Sequence, residues 1–165
     1  MITRLEKLLY RLQSQHACLN WVFGEIEGTP GIVFELGLGL GRTFNHLRAH
    51  LPEREILVFE RQVHSYPDCT PQPHELVIGD LAETLPAMAA RHGGAVCLVN
   101  SDVGSFDKAH NQMMAAIVSA GIGPALAPGA FVVSDLALDI AGCAALCLPP
   151  GAHAGRYYLY KRTGS

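Results

Sequence analysis

The chain has 165 residues, 49% hydrophobic and 16% charged, a length and balance that fit one globular domain burying roughly 70% of its unfolded surface. Its 12 Lys and Arg against 15 Asp and Glu leave a formal net charge of -3, with no Lys/Arg cluster to make the basic face of a nucleic-acid partner. No apolar run reaches the ~18–20 residues that span a bilayer, and Met1 to Lys7 lacks the layout of a signal peptide, so a cytoplasmic protein with no membrane partner is expected.

Residues Ile2 to Ile26 read as one amphipathic helix. Leu5, Leu8, Leu9, Leu12, Leu19, Val22, Phe23 and Ile26 fall at helical spacing, and Gly28-Thr29-Pro30-Gly31 ends it. Ile32–Leu36 is the first predicted strand and Arg42–Leu51 a helix stopped by Pro52. Ile56–Glu60 is the second strand and Leu76–Ile78 the core of the third. Between them, Arg61 to His74 holds Pro67, Pro71 and Pro73, so an irregular link is expected in place of a regular helix.

A short helix follows around Pro86–Arg91, ended by Gly93-Gly94. Val96–Val99 is the fourth strand, Asp107–Ala120 a helix, Phe131–Val133 the fifth strand and Arg156–Lys161 the last. Asp107 near its start and Gly121 after its end punctuate the longest of these helices. Continuous apolar strands separated by helices argue an α/β fold: a doubly wound, mostly parallel sheet with a leading N-terminal helix. The chain reads as a single domain over 1–165, with the helix in 1–28, the core in 31–135 and a short C-terminal region in 136–165.

The turn after the first strand carries the strongest signal. Glu35-Leu36-Gly37-Leu38-Gly39-Leu40-Gly41-Arg42-Thr43 places glycine at every second position before a helix start. Such a turn aims bare backbone N–H groups and the positive end of a helix dipole at one spot, which suits an anionic or carboxylate-bearing ligand. The dinucleotide pattern G-x-G-x-x-G fails in both registers, since Arg42 and Phe44 stand where its last glycine belongs. A nucleotide-linked oxidoreductase is therefore disfavoured.

Acid-x-Gly-x-Gly-x-Gly instead resembles the first motif of class I S-adenosylmethionine (SAM) dependent methyltransferases. In that family the turn wraps the methionine end of SAM and the acid, here Glu35, helps to organise it. Leu126-Ala127-Pro128-Gly129 before the fifth strand resembles the family's approach to that strand, so the likeness runs from about Gly31 to Asp135. The proline-rich link and the short tail depart from the family's pattern.

Ligands of open parallel sheets bind beyond the carboxyl ends of the strands, and here each of the first five strands has an acid at that end: Glu35, Glu60, Asp80, Asp102 and Asp135. Glu60 lies about 20 residues past the turn, where a carboxylate commonly accepts from both ribose hydroxyls. The resemblance implies that Asp80 reads the adenine amino group and the backbone of Leu81 the ring. It implies that Asp102 faces the methionine ammonium or acts as a general base. The cofactor contacts it implies come from Glu35, Gly37, Gly39, Gly41, Arg42, Thr43, Glu60, Arg61, Asp80, Leu81 and Asp102, with SAM or S-adenosylhomocysteine as ligand.

The implied activity is transfer of the SAM methyl group to a small-molecule acceptor. The alternative is a module that holds SAM or S-adenosylhomocysteine without turnover. His46 and His50 are four apart on one helix but lack a third ligand. Asp102 with Asp135 is similar to the magnesium site of some O-methyltransferases, yet Leu136 stands where those carry Asn, so no metal is expected. Five cysteines form no C-x-x-C pair and no zinc spacing. The wide apolar coverage of the N-terminal helix, including Trp21, Val22 and Phe23, predicts that part of it closes over the cofactor mouth or buries against a second copy, most simply in a two-fold homodimer.

Overall fold

The computed structural model describes residues 1–164. Helix α1 spans Arg4–Glu25 and starts from a capping box, in which the Thr3 hydroxyl accepts the Glu6 amide and the Glu6 carboxylate accepts the Thr3 amide. Its buried residues are Ser14, Gln15, Cys18, Leu19 and Val22. Only the second half of the helix therefore joins the core, while Leu5, Leu8, Leu9 and Leu12 stay exposed.

Strands β1 (Ile32–Leu36), β2 (Ile56–Glu60), β3 (Leu76–Ile78), β4 (Val96–Ser101), β5 (Leu126–Ser134), β6 (Cys143–Ala145) and β7 (Tyr158–Arg162) form one sheet in the order β3-β2-β1-β4-β5-β7-β6. β1 to β5 pair in parallel, and the terminal β6 and β7 run antiparallel. Helix α2 (Arg42–His50) joins α1 on one face, where Cys18, Leu19, Phe44 and Leu47 pack on Val33, Val58 and Val133. Helices α3 (Leu81–Arg91) and α4 (Lys108–Gly121) cover the other, where Leu85, Ala89 and Val118 pack on Phe34, Phe59 and Val132. The chain order reverses at β1, between β2 and β4, and this switch point lies beside the glycine turn.

The link between β2 and β3 is irregular, as its prolines require, with short 3-10 turns at Pro67–Cys69 and Pro73–Glu75. Several boundaries differ from the sequence reading, and one strand was not read at all. α3 begins at Leu81, with Pro86 inside it; the Asp80 cap, accepting the Ala82 amide at 2.9 Å, starts the helix before the proline is reached. β5 begins at Leu126, because a register shift between Val96 and Leu98 of β4 absorbs the turn-forming Pro128-Gly129. β6, only three residues long, pairs with β7 at the sheet edge and has no apolar alternation to announce it.

Candidate functional site

The three glycines of the turn are all left-handed, with φ of 86° at Gly37, 52° at Gly39 and 83° at Gly41, but for different reasons. A Cβ on Gly37 would stand 2.7 Å from the Asp102 carbonyl oxygen, and one on Gly41 would stand 2.7 Å from Cys69 Cβ. Those positions let the turn pack against the β4 loop and the irregular link. A Cβ on Gly39 would meet nothing within 4 Å. Gly39 is thus the one of the three with bare backbone facing open space.

Glu60, at the end of β2, reaches back to this turn. Its Oε2 accepts the amides of Leu38 at 3.0 Å and Gly39 at 3.2 Å, and its Oε1 accepts the Arg61 amide at 2.8 Å. Oε1 keeps a further lone pair, whereas Oε2 already accepts two amides. Glu60 and Arg61 line a cleft of about 590 Å³ with Gly79, Asp80, Leu81 and Val103, and α4 closes it through His110, Met113 and Ile117. The Asp80 Oδ1 atom is engaged in capping α3.

A second cleft, of about 320 Å³, lies between α1 and the glycine turn. Arg42 and Thr43 at the start of α2 line it, as do Arg11, Leu12, Gln15 and His16 of α1. Gly37, Gly39 and Asp102 belong to the walls of both clefts, so the two meet at these residues. Asp102 is ion-paired with Arg11, its Oδ2 accepts Gln15 Nε2 at 3.3 Å, and the same Gln15 nitrogen donates to Thr43 Oγ1 at 3.1 Å.

Glu35 lies beneath these walls, lining neither cleft. It is fully buried and accepts Asn100 Nδ2 at 2.7 Å across the β1–β4 pair. Burial holds its carboxyl well above the usual carboxylate range despite that bond. Among the described residues, Glu35 Oε1 and Asn100 Oδ1 have no hydrogen-bond partner. A protonated Glu35 has a hydroxyl to donate, and the Asn100 oxygen is an acceptor.

Asp135, after β5, accepts the amides of Val103 at 3.3 Å and Gly104 at 2.8 Å and so holds the β4 loop. Burial, then the neighbouring Asp102, push its carboxyl up to about 7. The buried Tyr157 hydroxyl, also without a partner, feels both acids and Arg11. Beneath the second cleft the protein therefore holds a polar layer, where most of the surrounding core is aliphatic or aromatic.

Arg11, Gln15, Tyr157 and the α4 residues were not among the site residues read from sequence. For Arg11 and Gln15 the signal is their spacing. Arg11, Gln15, Cys18 and Val22 form one helical stripe, and Cys18 and Val22 are fully buried. His46 and His50 pack ring to ring at 4.3 Å, and His46 Nε2 lies 2.8 Å from Asn20 Oδ1. Burial, then His50 and His16, hold His46 below its ordinary pKa. No group of three or more His, Cys, Asp or Glu among the described residues is arranged to hold a metal ion.

The residues present fit a SAM-like ligand. Open space lies over Gly39, a carboxylate stands at the end of β2, and opposite charges face one cleft. A family model described as S-adenosyl-L-methionine methyltransferase matches residues 2–162. The crystal structure of an S-adenosyl-L-methionine methyl transferase from Silicibacter pomeroyi DSS-3 is 44% identical, with 97% of this chain and 98% of that chain covered and a TM-score of 0.93.

More distant structures share the fold alone. They include TrmN from Thermus thermophilus, at 13% identity and TM-score 0.60 over 87% of this chain and 47% of that one. They also include the MycE methyltransferase from the mycinamycin biosynthetic pathway, solved with Mg and SAH, at 15% identity and TM-score 0.56 over 96% and 48%. No curated protein matches the chain.

Proposed function

The chain belongs to the S-adenosyl-L-methionine methyltransferase family, and we propose that the acceptor of its SAM-derived methyl group is a small molecule. What supports this reading is the position of α1. Arg11 and Gln15 reach Asp102 across the glycine turn and bound a cleft of about 320 Å³ that receives the aminoacyl end of SAM, so α1 stands where an acceptor would approach the sulfonium. The acidic balance of the chain supports it too, since a nucleic-acid acceptor would call for a cationic face.

Bound SAM supplies a methyl group on a sulfonium, an electrophile that needs alignment with its acceptor more than acid–base help. The chain's own residues then have these tasks. The bare backbone at Gly39 admits the ligand, Gly37 holds the turn against the β4 loop, and Gly41 with Arg42 and Thr43 opens α2 beside it. Glu60 accepts from the ribose diol, with Arg61 next to it. Asp80 and the Leu81 amide face the adenine. Glu35, buried and paired with Asn100, holds the floor between β1 and β4. Asp102, facing both clefts, serves as an acceptor-only carboxylate for an ammonium or for a proton on the methyl acceptor.

The exposed Leu5, Leu8, Leu9 and Leu12 of α1 support a homodimer, since four leucines on adjacent turns make an apolar patch of the kind that marks an interface. The test of the acceptor class uses SAM labelled on its methyl group. The protein is incubated with it and with separate low-mass metabolite, RNA, DNA and protein fractions. Label is expected in the low-mass fraction, and label transferred only to nucleic acid would overturn the reading.

A further inference from the structure

The sheet's own loops supply most of the cofactor contacts, but the structure also brings α1 into the site through one ion pair. Arg11 sits one turn before Gln15, and both reach Asp102. The pair is partly solvated, with side-chain exposures of 34% for Arg11 and 21% for Asp102, and a pair so placed contributes little to stability. Among the described residues, Arg11 makes no hydrogen bond other than that to Asp102, so most of its planar fork of donors is free. That fork matches a carboxylate bidentately.

Both charges line the same cleft, beside Gly37 and Gly39. Asp135 lies beside Asp102 and Arg11, so two carboxyl groups stand against the one guanidinium. An α-amino acid tail offers the complementary set, a carboxylate and an ammonium on one carbon.

Resting on the reading that this cleft takes the aminoacyl end of SAM, we infer that Arg11 and Asp102 form an exchangeable pair. Each neutralises the other in the structure described here. When the tail enters, Arg11 turns its fork to the carboxylate and Asp102 accepts from the ammonium. Gln15, held by Thr43 Oγ1, keeps α1 seated during the exchange. The N-terminal helix is therefore part of the ligand site and senses the tail, while the adenosine half lies in the cleft of Glu60, Asp80 and α4, which α1 does not line.

The test compares two ligands by titration calorimetry. S-adenosylhomocysteine carries the tail, and 5′-methylthioadenosine keeps the adenosine and sulfur but lacks it. The proteins are the wild type, Arg11→Met, Arg11→Lys and Arg42→Met, each checked for a native melting transition. Arg11→Met should weaken S-adenosylhomocysteine by about ten- to a hundred-fold, the worth of a charge-assisted hydrogen bond, and leave 5′-methylthioadenosine within about two-fold. Arg11→Lys should restore part of the loss.

Hydrogen exchange supplies a readout independent of affinity. S-adenosylhomocysteine should change protection of α1 amides in the wild type, and 5′-methylthioadenosine should not. An unchanged ratio of the two affinities in Arg11→Met, or a ratio that collapses in Arg42→Met instead, would overturn the exchange while leaving the cofactor site intact. A wild type that binds neither ligand would overturn the placement of the site itself, and the exchange with it.

Discussion

Asp135 accepts two backbone amides, yet its carboxyl is pushed up to about 7 because burial and the adjacent Asp102 outweigh those bonds. A raised carboxyl favours the folded state when protonated. Its contribution is fully present below the ordinary value of 3.8 and is lost as pH rises through about 7. Melting temperature should therefore fall between pH 5 and pH 8 through this group. Asp135→Asn, which cannot ionise, should flatten that part of the profile even though its NH2 group serves the Val103 and Gly104 amides less well. A profile of equal slope in the variant would assign the pH dependence elsewhere.

Glu35 and Glu60 are separated by the same measure, solvent. Glu35 faces Asn100 in the core, where burial raises its carboxyl, so Glu35→Gln, an uncharged isostere that keeps an acceptor oxygen, should preserve the pairing and change stability little. Glu35→Ala strands the Asn100 amide and should cost about 1–3 kcal/mol in urea unfolding, the penalty of an unsatisfied buried polar group. Glu60 is half-buried and lines the larger cleft. Glu60→Ala should lower S-adenosylhomocysteine affinity by about 1.5–3 kcal/mol, and Asp80→Ala by less, because part of the Asp80 carboxylate already caps α3. Equal affinities for Glu60→Ala and wild type would place the ribose elsewhere.

At the scale of elements, the glycine turn and α1 carry the site. Gly39→Ala meets no neighbour and should cost only the ~1–2 kcal/mol of left-handed backbone, yet bind S-adenosylhomocysteine much more weakly. Gly37→Ala adds a clash with the Asp102 carbonyl and should lose more stability than Gly39→Ala in the same denaturant series. The first half of α1 makes a separate claim. If Leu5 and Leu9 sit in a two-fold interface, changing both to Glu should halve the mass measured by light scattering while the melting temperature of the domain holds. An unchanged mass would remove the homodimer. The second half of α1 gives no such freedom, since Cys18, Leu19 and Val22 are core.

The whole molecule is a sheet whose parallel strands were legible in the sequence. Burial on both faces makes such strands continuous apolar runs, as in Ile32–Leu36 and Ile56–Glu60. The alternating glycines were legible too, because left-handed backbone leaves few residue choices. So were the acids at the strand ends and the irregular crossover, which its prolines dictate. Short, edge or interrupted elements were not. β6 lacks a pattern, the bulged start of β5 hides behind Pro128 and Gly129, and the Asp80 cap extends α3 ahead of Pro86.

The sequence by itself determined the fold class and the residues placed along the strand ends, and the likeness of its glycine turn to the methyltransferase motif pointed to the cofactor class. The fold class and the strand ends follow from local backbone preference and periodicity, which neighbours in the chain settle. Tertiary structure alone decided which of these residues line a cleft. Glu35 and Asp102 are both acids beside strand ends, but one is sealed under the sheet surface and the other lines both clefts. It also brought Arg11 to Asp102 from 91 residues away. Desolvation and long-range pairing depend on what packs above a side chain, and that is set only when α1 closes on the sheet.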